Sequence, residues 1–193
     1  METILIEEFE KLNIQEDVKT HSRRVEALSL EIANRLIDIG YKEPINLSNL
    51  KLAARYHDVG KKDIPKKILN KPGELTNEEM HIMKQHVKLS GKYAADRGFP
   101  SPVIKIILHH HESCNGNGYP FGLLSHALSI ESKILRVADI YDALTSDRPY
   151  RKAFNQNDAL DIILEAHEEY DMNILRVLFE ILGVRNMDTV RIA

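Results

Sequence analysis

The stretch Ile130–Leu144 reads IESKILRVADIYDAL and indicates that the chain is built around a central helix. Drawn as a helix, it is apolar on almost every side, which is typical of a helix buried inside a domain. Two carboxylates, Asp139 and Asp142, nevertheless fall within it. A buried carboxylate is costly unless it is paired or bound to a metal ion, so this helix predicts a polar site in the core.

The segments before this stretch also repeat their apolar residues every three or four positions, as amphipathic helices do. One such stripe covers 25–39 and stops at Gly40, and a second covers 50–57 and ends near Gly60. The Pro- and Lys-containing segment 61–73 is predicted to be a loop.

Local signals mark the starts of the remaining helices. Thr76 and Glu79 have the spacing of a capping box, and Pro102 suits a first helical turn. The long helix after the capping box is expected to bury a face formed by Met80, Met83, Val87 and Ala94. Two packing helices are predicted over 157–168 and 171–182. Because no alternating strand pattern or internal repeat is present, we predict an all-α fold.

Size and composition fit one globular domain. The chain has 193 residues, 43% hydrophobic and 28% charged, and a formal net charge of −3. This charge argues against a DNA or RNA polymer as partner, and no run approaches the roughly 18 apolar residues of a membrane span. The first residues lack the features of a signal peptide, and Cys114 has no second cysteine to pair with. We expect a single-domain helical bundle over 1–193, cytoplasmic and without membrane insertion.

Histidines and aspartates recur at apolar positions of the predicted helices. The set comprises His21, His57, Asp58, His86, His110, His111 and Asp139. Taken alone, a histidine such as His21 or His86 is more often a hydrogen-bonded core residue than a ligand. Metal coordination is one of the few ways to satisfy so many buried polar groups together, and these donors suit Fe, Mn, Zn or Ni.

Two segments resemble the signatures of a known family. YHDVGK at 56–61 resembles the HD phosphohydrolase signature, and HHESCNGNGYP at 110–120 resembles the HHE…GYP signature of the HD-GYP family. The resemblance continues through 68–76, 83–86 and 138–151 and covers about residues 17–180. It implies a helical bundle of the HD-domain type with a dinuclear metal site in its core.

The resemblance also implies which residues bind metal. His21, His57, Asp58 and Asp139 match the ligands shared by HD phosphohydrolases, and His86, His110 and His111 match those that HD-GYP proteins add. Two divalent ions are expected, iron or manganese by analogy with the family. A third metal stays open: some members hold one with a Glu four residues before the first His, where this chain has Asp17.

The activity implied by the resemblance is hydrolysis of a phosphodiester in a cyclic dinucleotide of bacterial signalling. The expected substrate is cyclic di-GMP and the expected product is pGpG, with further cleavage to GMP left open. The nucleophile would be a hydroxide that bridges the two metals. Two alternatives stay open: a signalling or binding module with little or no turnover, and an HD phosphohydrolase that acts on a mononucleotide.

Three basic side chains are expected to contact the phosphate. By the resemblance, Lys61 directs its ammonium group at the scissile phosphate or its product, and we count it as catalytic together with Asp58. Arg148 and Arg151 carry guanidinium groups that suit a phosphate, with a nearby aspartate as the alternative partner of either.

The loop that carries Gly118, Tyr119 and Pro120 is expected to shape the substrate pocket or to dock a signalling protein; the alternative is that it only closes the fold. The chain departs from the family at Asn115, where Asp is usual, and at Ser125, where Gly is common. The loss of a carboxylate at Asn115 is expected to loosen a hydrogen bond near the ligands or to change substrate preference.

Overall fold

The computed structural model describes residues 2–148 and 151–184, and in those two ranges it contains helices and no strands. The α-helices are α1 (Glu2–Glu10), α2 (Glu16–Asp38), α3 (Leu47–Tyr56), α4 (Lys66–Leu69), α5 (Asn77–Asp96), α6 (Ser101–His109), α7 (Ile130–Thr145), α8 (Gln156–Glu165) and α9 (Met172–Ile181). Short 3₁₀ helices lie at Val59–Asp63, Ser125–Ala127 and His167–Glu169. The predicted all-α fold is confirmed.

Helix α7 lies at the centre of the bundle, as its apolar sequence predicts. It packs against α2, α3, α6, α8 and α9. Ile134, Leu135 and Val137 are fully buried in the core that these helices share. Burial of each such side chain contributes roughly 1.5–3 kcal/mol to the stability of the fold, relative to leaving the side chain exposed. The helix begins at a cap in which the Ser129 side chain accepts a hydrogen bond from the backbone N–H of Ser132 (3.2 Å).

The predicted start of α5 is confirmed. The Thr76 hydroxyl accepts a hydrogen bond from the Glu79 backbone N–H (3.3 Å), and the Glu79 carboxylate accepts one from the Thr76 N–H (2.8 Å). The predicted apolar face is wrong at Met80, which is 41% exposed. This first turn projects beyond the core, and the buried face of α5 begins only at His86.

The segment 61–73 is more ordered than a loop, which corrects the prediction from its sequence. It contains the end of the first 3₁₀ helix and all of α4. Ile64 and Ile68 are buried, and they hold this segment against the bundle. Its prolines and lysines indicate a loop, but the burial of these two side chains stabilises short helical turns instead.

Helix α1 packs against α3 and is held there by both apolar and ionic contacts. Phe9 is fully buried and lies edge-on to Tyr56. Glu10 forms ion pairs with Arg23 of α2 and Arg55 of α3. Within the described residues, no helix has both the length and the apolar character that a membrane crossing requires.

Candidate metal centre

The seven side chains expected to bind metal meet in one buried cluster. His21 lies on α2, His57 and Asp58 at the carboxyl end of α3, His86 on α5, His110 and His111 at the end of α6, and Asp139 on α7. Three overlapping sets have ligand atoms within 4.8 Å of one another: His86, His110 and His111; His21, His57 and Asp139; and His57, Asp58 and His110. Five separate parts of the fold thus converge on one centre.

Asp58 and Asp139 lie between two groups of imidazoles, and each carboxylate presents one oxygen to each group. The first group is His21 and His57, and the second is His86, His110 and His111. Oδ2 of Asp58 is 3.4 Å from Nε2 of His21, whereas its Oδ1 is 3.3 Å from Nε2 of His86. Oδ1 of Asp139 is 3.0 Å from Nε2 of His21, and its Oδ2 is 3.8 Å from Nδ1 of His111. Each carboxylate could therefore offer one oxygen to a cation held by the imidazoles on either side of it.

Backbone hydrogen bonds fix the orientation of three of the imidazoles. Nδ1 donates to the carbonyl of the residue three positions earlier in His57 (2.8 Å), His86 (2.8 Å) and His110 (2.6 Å). Because a carbonyl only accepts, Nδ1 carries the proton in each neutral ring and Nε2 keeps its lone pair. Nε2 of His86 and Nε2 of His110 lie 3.3 Å apart, so these lone pairs face the same space.

His21 is oriented by a carboxylate instead of a carbonyl. Its Nδ1 donates to Oδ2 of Asp142 (2.6 Å). Arg24 in turn holds Asp142 with two hydrogen bonds, from Nε to Oδ1 (2.5 Å) and from Nη2 to Oδ2 (2.9 Å). The sequence predicts Asp142 only as a buried carboxylate of the central helix, and it does not predict Arg24 at the site. The sequence signal that could have found them is their spacing from the expected ligands. Arg24 lies three residues after His21 on α2, and Asp142 lies three residues after Asp139 on α7.

The unsatisfied atoms of the centre fit divalent cations. Among the described residues, Nε2 of His21, Nε2 of His57 and Oδ1 of Asp58 are buried without a hydrogen-bond partner. Leaving such atoms unpaired costs free energy, and each of them has a lone pair that a cation can accept. Imidazole nitrogens and carboxylate oxygens together are typical ligands of first-row transition metals.

The protonation states of three of these groups, His86, His110 and Asp58, favour cation binding as well. Burial lowers the pKa of His86 to about 4 and that of His110 to about 3, so both rings are neutral near pH 7. Burial opposes the ionisation of Asp58, but Lys61 and His57 outweigh it and hold the pKa of this carboxyl well below its ordinary value. Neutral imidazoles and ionised carboxylates are the forms that bind a metal.

Lys61 lies at the edge of the cluster, with Nζ 2.5 Å from Oδ2 of Asp58 and a side chain that is 17% exposed. The preceding Gly60 allows this turn to lie directly on α5. A Cβ atom on Gly60 would be 2.4 Å from the backbone oxygen of His86, and the Gly60 N–H donates to the Ser90 hydroxyl (2.9 Å). The small residue thus brings Asp58 and Lys61 close to His86.

The loop with the GYP sequence folds back on the histidine pair. The carboxylate of Glu112, buried beneath the loop, accepts hydrogen bonds from the N–H groups of Phe121 (2.7 Å) and Leu123 (2.8 Å). A Cβ on Gly118 would be 2.3 Å from the backbone nitrogen of Ser113, so only glycine fits there. The Tyr119 ring stacks on His111 at 4.7 Å. Tyr119 therefore forms a wall of the centre.

Asn115 takes part in the geometry of the loop itself. Its Oδ1 accepts a hydrogen bond from the Asn117 backbone N–H (3.1 Å). An aspartate would accept the same bond, so the departure from the family pattern preserves the turn.

Other candidate residues have contacts away from the cluster. The Arg151 guanidinium donates to the backbone carbonyls of Ala143, Leu144 and Lys152, which places it at the carboxyl end of α7. Arg148 is joined to Arg151 by backbone hydrogen bonds. Pro149 and Tyr150 lie outside the described residues.

Asp17, the candidate ligand of a third metal, is exposed in the first turn of α2. Its carboxylate accepts a hydrogen bond from the Val18 N–H (2.9 Å).

The chain matches the HD domain family model over residues 12–174. The cyclic di-GMP phosphodiesterase PA4108 of Pseudomonas aeruginosa is 36% identical over 165 residues, which are 85% of this chain and 39% of that protein. The 3'3'-cGAMP-specific phosphodiesterase 1 of Vibrio cholerae is 32% identical over 145 residues, 74% of this chain and 32% of that protein. The chain thus spans less than half the length of either relative.

A solved structure has the same fold. Bd1817, a HDG"Y"P protein from Bdellovibrio bacteriovorus, aligns with a TM-score of 0.69 and 24% identity, over 86% of this chain and 52% of that one. The family match covers most of the chain and contains the HD pair, the paired histidines and the GYP loop. The chain therefore belongs to the HD domain family, and its paired histidines and GYP loop are similar to the signature of HD-GYP proteins.

Proposed function

We propose that this chain is a metal-dependent phosphodiesterase that hydrolyses a cyclic dinucleotide, with cyclic di-GMP as substrate and pGpG as product. The observation that carries the proposal is the pair of carboxylates, Asp58 and Asp139, that each face imidazoles on two sides. Such an arrangement suits two cations side by side. The names of the relatives support a cyclic dinucleotide as the substrate class.

The seven clustered side chains are the proposed ligands, and iron or manganese the proposed metal, because both accept mixed nitrogen and oxygen donors. Two such cations would supply a nucleophile from water at neutral pH and neutralise the charge of the phosphoryl group. A third ion is not part of the proposal, since Asp17 is exposed and bonded to its own backbone neighbour.

The residues around the centre bind and orient the substrate. Lys61 would bind a phosphate oxygen at the edge of the cluster, a role that the position of its ammonium, 2.5 Å from Asp58, supports. Tyr119, between Gly118 and Pro120, limits the space beside His111. The phosphate contacts of Arg148 and Arg151 stay predictions, because the Arg151 donors serve backbone carbonyls in this structure.

Two further expectations concern the surroundings of the enzyme. Phe121 and Leu124 of the GYP loop are exposed, which is compatible with the docking of a signalling protein. That partner, and the cytoplasmic location, stay predictions from the sequence.

The test is anaerobic purification with iron or manganese, metal counting, and chromatography of reactions with cyclic di-GMP, cGAMP and cyclic di-AMP. We expect about two metals per chain and a linear dinucleotide product. The Asp58→Asn variant should lose both metal binding and product formation. The Asp96→Asn variant, which changes an exposed ion pair with Lys92, should retain both properties.

Other results would favour the alternatives. Bound metal without turnover of any cyclic dinucleotide would indicate a signalling module. Hydrolysis of a mononucleotide alone would indicate an HD phosphohydrolase of another specificity.

A further inference from the structure

His111 differs from the other histidines of the centre in the partner of its Nδ1 atom. Nδ1 donates to a carbonyl in His57, His86 and His110, and to a carboxylate in His21. In His111 the partner is Nη1 of Arg136, 3.3 Å away. A guanidinium has N–H donors and no acceptor, so Nδ1 of His111 must be unprotonated and accept this hydrogen bond.

The same nitrogen faces the metal cluster. Nδ1 of His111 is 3.8 Å from Oδ2 of Asp139, whose other oxygen lies 3.0 Å from Nε2 of His21. An unprotonated imidazole nitrogen has a single lone pair, which lies in the plane of the ring. It cannot accept a full hydrogen bond from Arg136 and bind a cation at the same time.

Arg136 is held in this position by Glu169. Its Nη2 donates to Oε2 of Glu169 (2.9 Å), and its side chain is only 16% exposed. The backbone oxygen of Glu169 accepts a hydrogen bond from Cys114 N–H (2.8 Å), so the same residue also holds the segment that follows His111. Arg136 is therefore preorganised beside His111.

We propose that Arg136 is a positioning residue that competes with a cation for Nδ1 of His111. Of the two metal positions, the one bounded by His86, His110 and His111 then binds its cation more weakly. Its occupancy follows the free metal concentration. The positive charge of Arg136 beside that position acts in the same direction. This inference rests on the two-metal centre of the proposed function.

The tautomer of His111 in the metal-free protein is the first test. Long-range ¹H–¹⁵N spectra of the histidine rings should show His111 protonated at Nε2, whereas His57, His86 and His110 should be protonated at Nδ1. A His111 ring protonated at Nδ1 would overturn the proposal, since that nitrogen could not accept from Arg136. This experiment uses the unmodified chain and needs neither substrate nor turnover.

Calorimetric titration of the metal-free protein with Mn²⁺ is the second test. Arg136→Met keeps a long side chain but removes the donor and the charge, and it should tighten the weaker class of sites by roughly 10–100-fold, the range that corresponds to one hydrogen bond from a charged donor. Arg35→Met removes a surface arginine paired with Glu180 and should leave both classes unchanged.

The remaining outcomes are distinct. Unchanged or weaker Mn²⁺ binding in Arg136→Met would overturn the competition, because Arg136 would then be neutral towards His111 or support it as a ligand. If the wild-type chain binds one cation in total, the two-metal proposal fails, whereas the tautomer of His111 still shows whether Arg136 occupies Nδ1.

Discussion

Asp142 acts on the metal centre through His21. Its carboxylate accepts from Nδ1 of His21 and from two guanidinium nitrogens of Arg24. Burial disfavours its ionised form, but these two partners outweigh burial and lower its pKa to about 2. It is therefore ionised at every pH at which the centre would operate. A negative charge at this position fixes the tautomer of His21 and makes Nε2 a better metal donor.

We therefore expect Asp142→Asn to weaken divalent metal binding by about 10–100-fold, the usual effect of losing such a supporting carboxylate. The measurement is a Mn²⁺ titration of the metal-free variant. Asp147→Asn is the control, because Asp147 is exposed and pairs with Lys152. Equal metal affinity in the two variants would mean that His21 is oriented without Asp142.

Glu112 is a buried carboxylate that connects the end of α6 to the GYP loop. It accepts from the N–H groups of Phe121 and Leu123, two residues in the second half of that loop. Glu112→Gln keeps the shape of the side chain but replaces one acceptor oxygen with an NH₂ donor, so one of the two N–H groups loses its partner. We expect faster hydrogen exchange at Phe121 or Leu123.

Native-state exchange followed by NMR measures this effect directly. The amide of Ala94, inside α5, serves as the internal reference, and its exchange should be the same in both proteins. Unchanged exchange at both loop amides would show that other contacts, such as the packing of Gly118 against Ser113, hold the loop without Glu112.

Local signals in the sequence predicted the elements, but not the contacts between distant elements. The capping box at Thr76 and the central helix α7, apolar on almost every side, follow from neighbouring residues, and the structure confirms both. The turn of α4 was missed because it depends on the burial of Ile68 against the bundle.

The same limit applies to the site. Resemblance identified the clustered ligands, but His21 and Asp142 are 121 residues apart, and the spacing of Arg24 from His21 does not tell which carboxylate Arg24 contacts. Arg151 was expected at the phosphate because of its guanidinium, yet the carbonyls exposed at the end of α7 take its donors. Arg136, with no motif of its own, is the guanidinium that contacts a clustered histidine.

At the scale of the whole molecule, the metal centre joins helices that also pack against one another through their apolar side chains. The cluster draws on α2, on the ends of α3 and α6, on α5 and on α7, all of which contribute to one core. Without a cation, the core still buries this set of polar atoms, including three that lack a partner. Metal binding should therefore stabilise the fold, and its removal should weaken the fold without abolishing it.

The expected size follows from linkage between binding and folding. A cation present at 100 times its dissociation constant adds about 2.7 kcal/mol to the free energy of unfolding. For a domain of this size, that corresponds to a rise in Tm of roughly 5–10 °C. Calorimetry of the chain in EDTA and then in excess Mn²⁺ measures the shift. Asp58→Asn, which loses a carboxylate between the two groups of imidazoles, should show a much smaller one. A wild-type Tm that is equal in EDTA and Mn²⁺ would mean that the cluster does not bind the cation in the folded state, and the two-metal mechanism would have to be abandoned.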